Sequence, residues 1–283
     1  MIKYKTILNQ AEAFAAKNQS HQAIMKLREF SLDEFGMVLA NLPVDCPNLV
    51  KILPSMASES VQRNWTGNSG LPLLQQSLAF MRSLDAGCKK YTGKGLGGSI
   101  LDYGCGWGRL LRLALYYSDP AQLYGIDPWD ESIKLCEQAG LSANLALCDY
   151  LPTSLPFGDT KFDCIYAFSV FTHLSERAAL TAMKACAPRL KADGLLAITV
   201  RPEHYWDCIE DIGVRQKMLE VHLGRGFAFM PHNRASIDGD ITYGDTSISF
   251  DYIKNRWTDW TVAGYDYNCI DGPQVIVFLK RNK

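Results

Sequence analysis

ILDYGCGWGR, residues 100–109, decides the fold of this chain. Ile100-Leu-Asp-Tyr103 has strand character and runs into glycines at alternate positions, Gly104, Gly106 and Gly108, followed by the helical run LLRLALYY. Glycine permits the tight turn between strand and helix and lets a ligand approach the main chain. A second apolar run, QLYGID (122–127), ends on Asp127, nineteen residues beyond Gly108. A carboxylate at the tip of the neighbouring strand can accept both hydroxyls of a ribose.

The same alternation continues outward. Strand-like runs occur at NLALC (144–148), FDCIYAF (162–168) and LLAITV (195–200), with helical stretches beginning near Trp107, Asp130 and Ser175. Strand–helix alternation of this length predicts a parallel sheet with helices on both faces. Two later runs, DWTVAGYDYN (259–268) and QVIVFLKR (274–281), flank a turn at Asp271-Gly-Pro273 and predict a closing antiparallel hairpin. Residues 1–95 read differently, as a helical cap. Helix formers fill 7–30, Ser31-Leu-Asp-Glu34 is a capping box, and Gly70-Leu-Pro72 opens a longer helix. The Gly-rich segment 91–99 connects this cap to the domain at 96–283.

Glycine spacing discriminates between ligands. Dinucleotide sites use G-x-G-x-x-G, where amides at a helix start hold a diphosphate. Here the pattern is D-x-G-x-G-x-G, with Asp102 ahead of the loop. A carboxylate there repels a diphosphate and suits the ammonium group of an amino-acid moiety. Two decoys fail on context. Gly93-Lys-Gly95-Leu-Gly-Gly98 fits the dinucleotide pattern but precedes the strand. The P-loop-like stretch 87–94 has five residues between its glycines, and Gly95 replaces the Ser or Thr needed for magnesium.

Composition narrows the classes further. Apolar residues are 47% of 283, enough for a substantial core, and the formal charge is −1 from 29 basic and 30 acidic side chains. That balance supplies no electrostatic reason for a nucleic-acid or anionic-membrane partner. The nine cysteines are odd in number and lack C-x-x-C spacing, and the histidines lack metal-ligand spacing. We therefore expect no metal, a reducing compartment and a cytoplasmic location. No stretch approaches 18 apolar residues, and the N-terminus has no apolar leader core. Nothing in the sequence fixes an oligomeric state.

ILDYGCGWGR, YGIDP, LALCDYLPTSLPF and KFDCIYAFSVFTHL, in this order, resemble the successive motifs of the class I S-adenosylmethionine-dependent methyltransferases. The resemblance covers about 96–283 and implies an α/β, Rossmann-like doubly wound sheet of about seven strands with an antiparallel last strand, plus the N-terminal helical cap. It implies S-adenosyl-L-methionine as cofactor. Gly104, Cys105, Gly106 and Gly108 would then border the methionine moiety, with Asp102 near its ammonium group. Asp127 and Pro128 would take the ribose end, Asp149 and Tyr150 would flank the adenine, and Phe168 would face the cofactor. The polar segment around Trp65 resembles the lid of methyltransferases acting on small metabolites, which places that indole near the sulfonium.

Methyl transfer needs chiefly alignment of its reactants, so the acceptor site is less legible than the cofactor site. His173, just past the fourth strand run, is the expected general base. Arg201 and His204 after the fifth run, and Tyr243 in the later insertion, are expected acceptor contacts, with Asp245 and His232 as weaker candidates. The expected reaction is O- or N-methylation of a small polar acceptor, possibly a sugar or related metabolite. SVFTHL and YGDTSISFDYIKNRW look like segments of bacterial methyltransferases near glycoconjugate pathways. The alternatives are a protein or peptide methyltransferase, and a non-catalytic module binding S-adenosylmethionine or S-adenosylhomocysteine.

Overall fold

The computed structural model describes residues 2–268 and 272–282, so Asp271 of the expected turn and Cys269 lie outside the described residues. Six helices come first among them: α1 (Ile2–Ala15), α2 (Ser20–Leu27), α3 (Leu32–Ala40), α4 (Pro47–Ile52), α5 (Glu59–Thr66) and α6 (Gly70–Thr92). The capping box forms as expected. The Ser31 hydroxyl accepts from the Glu34 amide at 3.2 Å, and the Glu34 carboxylate accepts from the Ser31 amide at 2.8 Å.

The sheet region then runs β1 (Ile100–Tyr103), α7 (Leu111–Ala114), β2 (Leu123–Asp127), α8 (Asp130–Gln138), β3 (Asn144–Leu147), β4 (Phe162–Ala167), α9 (Glu176–Cys186) and β5 (Leu190–Val200). It continues through α10 (Ile212–Arg225), β6 (Phe227–Pro231), β7 (Gly244–Ile248), α11 (Phe250–Arg256), β8 (Trp260–Asp266) and β9 (Val275–Arg281). Seven strands form one sheet in the order β3-β2-β1-β4-β5-β9-β8. β1 to β5 are parallel, and β9 runs antiparallel between β5 and β8. The chain builds outward from β1 through β2 to β3, then returns to lay β4 on the other side of β1. That reversal opens a crevice at the carboxyl ends of the strands, where ligands of such sheets bind.

Side chains alternate across the sheet with the two-residue period of a strand. Cys164, Tyr166 and Phe168 enter one core, and Ile165 and Ala167 enter the other. The first core also holds Ile7, Phe35, Phe80 and Leu84 of the N-terminal helices together with Ile276 and Phe278 of β9. The leading helices and the sheet thus share one apolar interior. Phe80 of α6 packs edge-on against Tyr166 and Phe168, with ring centroids 5.8 and 4.6 Å away.

Three elements differ from the sequence reading. The helix expected near Trp107 is only the four-residue α7, because the glycine loop continues as turns through Leu110. β5 starts at Leu190, five residues before the apolar run, because Leu190 pairs with Phe162 ahead of a bulge. The insertion after α10 is a two-stranded antiparallel arm, with Phe227 opposite Ile248 and Pro231 opposite Gly244.

Candidate active site

The crevice at the carboxyl edge is a cavity of about 720 Å³ reaching from the glycine loop to the β6–β7 arm. Gly104 turns the chain with φ +78°, where a Cβ would also lie 2.5 Å from Val170. The amides of Gly104 and Cys105 donate to the Ile126 carbonyl at 2.8 and 3.0 Å, and the Gly106 amide donates to Asp127 at 3.0 Å. These three N–H groups are engaged inside the fold. With only four residues in α7, the loop lacks the amide cluster and dipole that hold a diphosphate.

What the loop offers is a pair of opposite charges. Asp102 is 2% exposed. Burial raises its pKa to about 8, the Tyr166 hydroxyl pulls it down, the nearby Asp127 charge pushes it up, and the Arg109 guanidinium lowers it again. Arg109 lies 4.8 Å over the Phe168 ring and donates to Gln76 at 2.5 Å. An acid that regains its charge beside a cation, next to a guanidinium, fits the ammonium and carboxylate of an amino-acid tail. Asp127 accepts from the amides of Gly106 and Trp129, each at 3.0 Å, and borders the cavity at the tip of β2. Burial raises its pKa against those backbone bonds. Cys105, Pro128, Asp149, Tyr150 and Phe168 also line the cavity.

Trp65, carried by α5, lies over the loop, with ring carbons 3.7 Å from where a Gly106 Cβ would stand. Its indole stacks on Trp129 with centroids 4.7 Å apart and planes 18° apart. The helical cap is thereby latched to the chain leaving β2. Trp129 escapes the sequence reading because one tryptophan after Asp-Pro has no periodic signal. Arg109 closes the loop motif, but the motif by itself assigned it no role.

Two of the expected residues lie outside the cavity lining. Gly108 is not among the cavity-lining residues. Its Cβ would stand 2.7 Å from Leu141 and 3.1 Å from Cys136, so this glycine with φ +81° allows the loop to pack on α8. His204 is exposed and lies outside the lining. It sits on the 3-10 turn 203–208, whose inward position is taken by fully buried Trp206, donating to Ser247 at 2.7 Å. Three residues per turn direct His204 elsewhere.

The far end of the cavity is lined by His173, Arg201 and Tyr243, together with Ser169, Arg234, Thr242 and Gln274. His173 Nδ1 donates to the Gly244 carbonyl at 2.8 Å, which leaves Nε2 to accept from Arg201 at 3.3 Å. Burial and the adjoining Arg201 charge hold this imidazole at about 4. Its ring stacks on Tyr243 with centroids 5.0 Å apart, and Arg234 covers the Tyr243 ring at 4.2 Å. Behind them Asp245 accepts from Arg201 and His232, both at 2.9 Å. Burial pushes Asp245 up, but hydrogen bonds from His232 and Tyr205 and the Arg201 charge outweigh it, leaving the carboxyl below its usual value. Among the described residues no group of three or more His, Cys, Asp or Glu could hold a metal ion.

Residues 101–198 match the family model described as "Methyltransferase domain". The fold is similar to the PH0226 protein from Pyrococcus horikoshii OT3, at 14% identity and TM-score 0.51, over 80% of this chain and 100% of that one. It is also similar to the CcbJ methyltransferase from Streptomyces caelestis, at 13% identity and TM-score 0.50, over 80% and 96% of the two chains. At such identities the likeness is one of fold. No curated protein matches the chain. Strand order and site geometry define an α/β fold with a crevice at the carboxyl edge of its parallel strands. Residues 101–198 thus carry the methyltransferase-domain match, on a sheet whose fold is similar to that of a known methyltransferase.

Proposed function

We propose that this enzyme methylates an oxygen or nitrogen of a small polar acceptor held between the cofactor and the β6–β7 arm. One observation carries this reading: the acceptor side is closed by a pinned arm. Leu174 bridges Tyr243, Ser175 donates to Asp240, and Arg177 pairs with Asp238, so the loop between β6 and β7 is tied to the start of α9. Trp65 covers the other side. The remaining space, about 720 Å³ for donor and acceptor together, is in the range of small-molecule pockets. A protein acceptor needs an open groove across this edge, which the arm and α5 occupy.

When bound, S-adenosylmethionine supplies an electrophilic methyl group on a sulfonium. Asp102 and Arg109 hold the amino-acid tail, Asp127 the ribose, and Pro128, Asp149 and Tyr150 border the adenine. On the acceptor side His173 stays neutral at physiological pH and is turned by Gly244 and Arg201. We assign it the positioning of Tyr243 and Arg201, because its Nε2 lone pair is already engaged. Alignment then supplies most of the rate, about 7–11 kcal/mol for well-held reactants.

The test is to incubate the enzyme with methyl-labelled S-adenosylmethionine and a cell extract split into small-molecule and macromolecular fractions. Label recovered in small polar compounds supports this reading. Label confined to protein contradicts it.

A further inference from the structure

The cavity separates its charges along the sheet. Its lining carboxyl groups, Asp102, Asp127 and Asp149, lie at or just past the ends of β1, β2 and β3, which form one half of the sheet, and there Arg109 faces Asp102. Over the other half the lining contains Arg201 and Arg234 and no carboxylate. His173 there is neutral, because burial and Arg201 hold it at about 4. Asp245, which is not in the lining, has Arg201 and His232 on its two oxygens.

The two guanidiniums are presented differently. Arg201 is 12% exposed, and its Nη1 is fixed by the Thr172 carbonyl and Asp245, both at 2.9 Å. Its Nη2 hydrogen-bonds His173 Nε2 at 3.3 Å, and the guanidinium carbon lies 4.1 Å from the Tyr205 ring centroid. Arg234 is exposed, lies over the Tyr243 ring with its guanidinium carbon 4.2 Å from the centroid, and makes no ion pair among the described residues. A guanidinium over an aromatic ring engages it through its face and keeps its N–H donors available, and such a fork takes a carboxylate or phosphate through two parallel hydrogen bonds.

Building on the methyltransferase reading, we infer that the acceptor is a small anion, with a carboxylate or phosphate held by Arg234 and Arg201. The bound anion completes the charge balance of that half of the cavity. Tyr243, between Arg234 and His173, gives it an aromatic wall.

The test uses benzoate, phenyl phosphate and benzamide as probes, titrated by calorimetry into the enzyme saturated with S-adenosylhomocysteine. One of the two anions is expected to bind about tenfold or more tightly than neutral benzamide, the usual advantage of a charge-assisted bidentate contact. The tighter anion identifies the group. Arg234→Gln removes an exposed side chain and is expected to abolish that preference while leaving S-adenosylhomocysteine affinity unchanged. Equal binding of benzamide, no binding of either anion, or an anion preference that survives in Arg234→Gln overturns the inference and leaves the methyltransferase reading standing. Failure of S-adenosylhomocysteine to bind the wild-type enzyme overturns both.

Discussion

Replacing Asp102 with Asn should make the enzyme more stable and its cofactor site weaker. The carboxyl is buried without a full countercharge, and its pKa stands at about 8 in the folded chain. In the unfolded chain it titrates near 4. Below pH 4 the group is protonated in both states and its burial carries no ionisation penalty. Between pH 4 and 8 the unfolded chain gives up the proton and the folded chain keeps it, so folding loses stability as pH rises. At pH 7 three pH units separate the unfolded pKa from the medium, a penalty of about 4 kcal/mol. Asn has the same shape and never ionises. The stability gap between Asp102→Asn and wild type should therefore be small at pH 4 and grow to about 4 kcal/mol in favour of the variant at pH 7. Denaturant unfolding at pH 4, 5.5, 7 and 8.5 measures it directly. The same substitution removes the charge meant for the ammonium group, so S-adenosylhomocysteine should bind about 1.5–3 kcal/mol more weakly, tenfold to over a hundredfold. In the wild type Asp102 must release its proton to hold that cation, so affinity should improve with pH up to about 8 and then level off. A variant no more stable than wild type at pH 8.5, or one with unchanged S-adenosylhomocysteine affinity, refutes the reasoning.

Further expectations concern neighbouring groups. Asp127→Ala should weaken S-adenosylhomocysteine binding by about 1.5–3 kcal/mol in calorimetry, the range for a hydrogen bond to a charged group; unchanged affinity would reject the ribose assignment. His173 stays neutral through the physiological range, so the pH–rate profile should show no inflection near 6.5 that disappears in His173→Ala. Such an inflection would restore this histidine as the base. Gly108→Ala should cost about 1–3 kcal/mol of stability through overpacking on Leu141, with little change in S-adenosylhomocysteine affinity. A selective loss of affinity would return Gly108 to the cofactor site. Trp65→Ala should loosen the cap, seen as faster amide exchange in α5 and weaker cofactor binding; unchanged exchange would show that the Trp129 stack does not latch the helix.

The parts of the fold that were legible are those written in local sequence. Each strand from β1 to β4 is a short apolar run beside a turn signal, and the parallel order follows from their alternation with helices. The candidate cofactor side reads from local sequence for the same reason: Asp102, the glycine loop and Asp127 lie at the ends of adjacent strands within 26 residues. Gly108 packs against Leu141 and Cys136, and a glycine needed for packing looks in sequence like one needed for ligand approach. The acceptor side is assembled from Arg201, Arg234, Tyr243 and the loop carrying His173, brought together by the β6–β7 arm. Its pairing depends on contacts such as Leu174 with Tyr243, about 70 residues apart, which no periodicity announces. His204 was misplaced because choosing the inward face of a short 3-10 turn required knowing that Trp206 fills it.

The central claim is that the crevice between Asp102, Asp127 and Trp65 takes a sulfonium nucleoside with a zwitterionic tail. The most direct measurement is paired calorimetric titration of the full chain with S-adenosylhomocysteine and with NAD. The account predicts one S-adenosylhomocysteine bound per chain and no heat from NAD, whose diphosphate would meet Asp102 and amides already engaged by Ile126 and Asp127. Saturable NAD binding with no response to S-adenosylhomocysteine would contradict it.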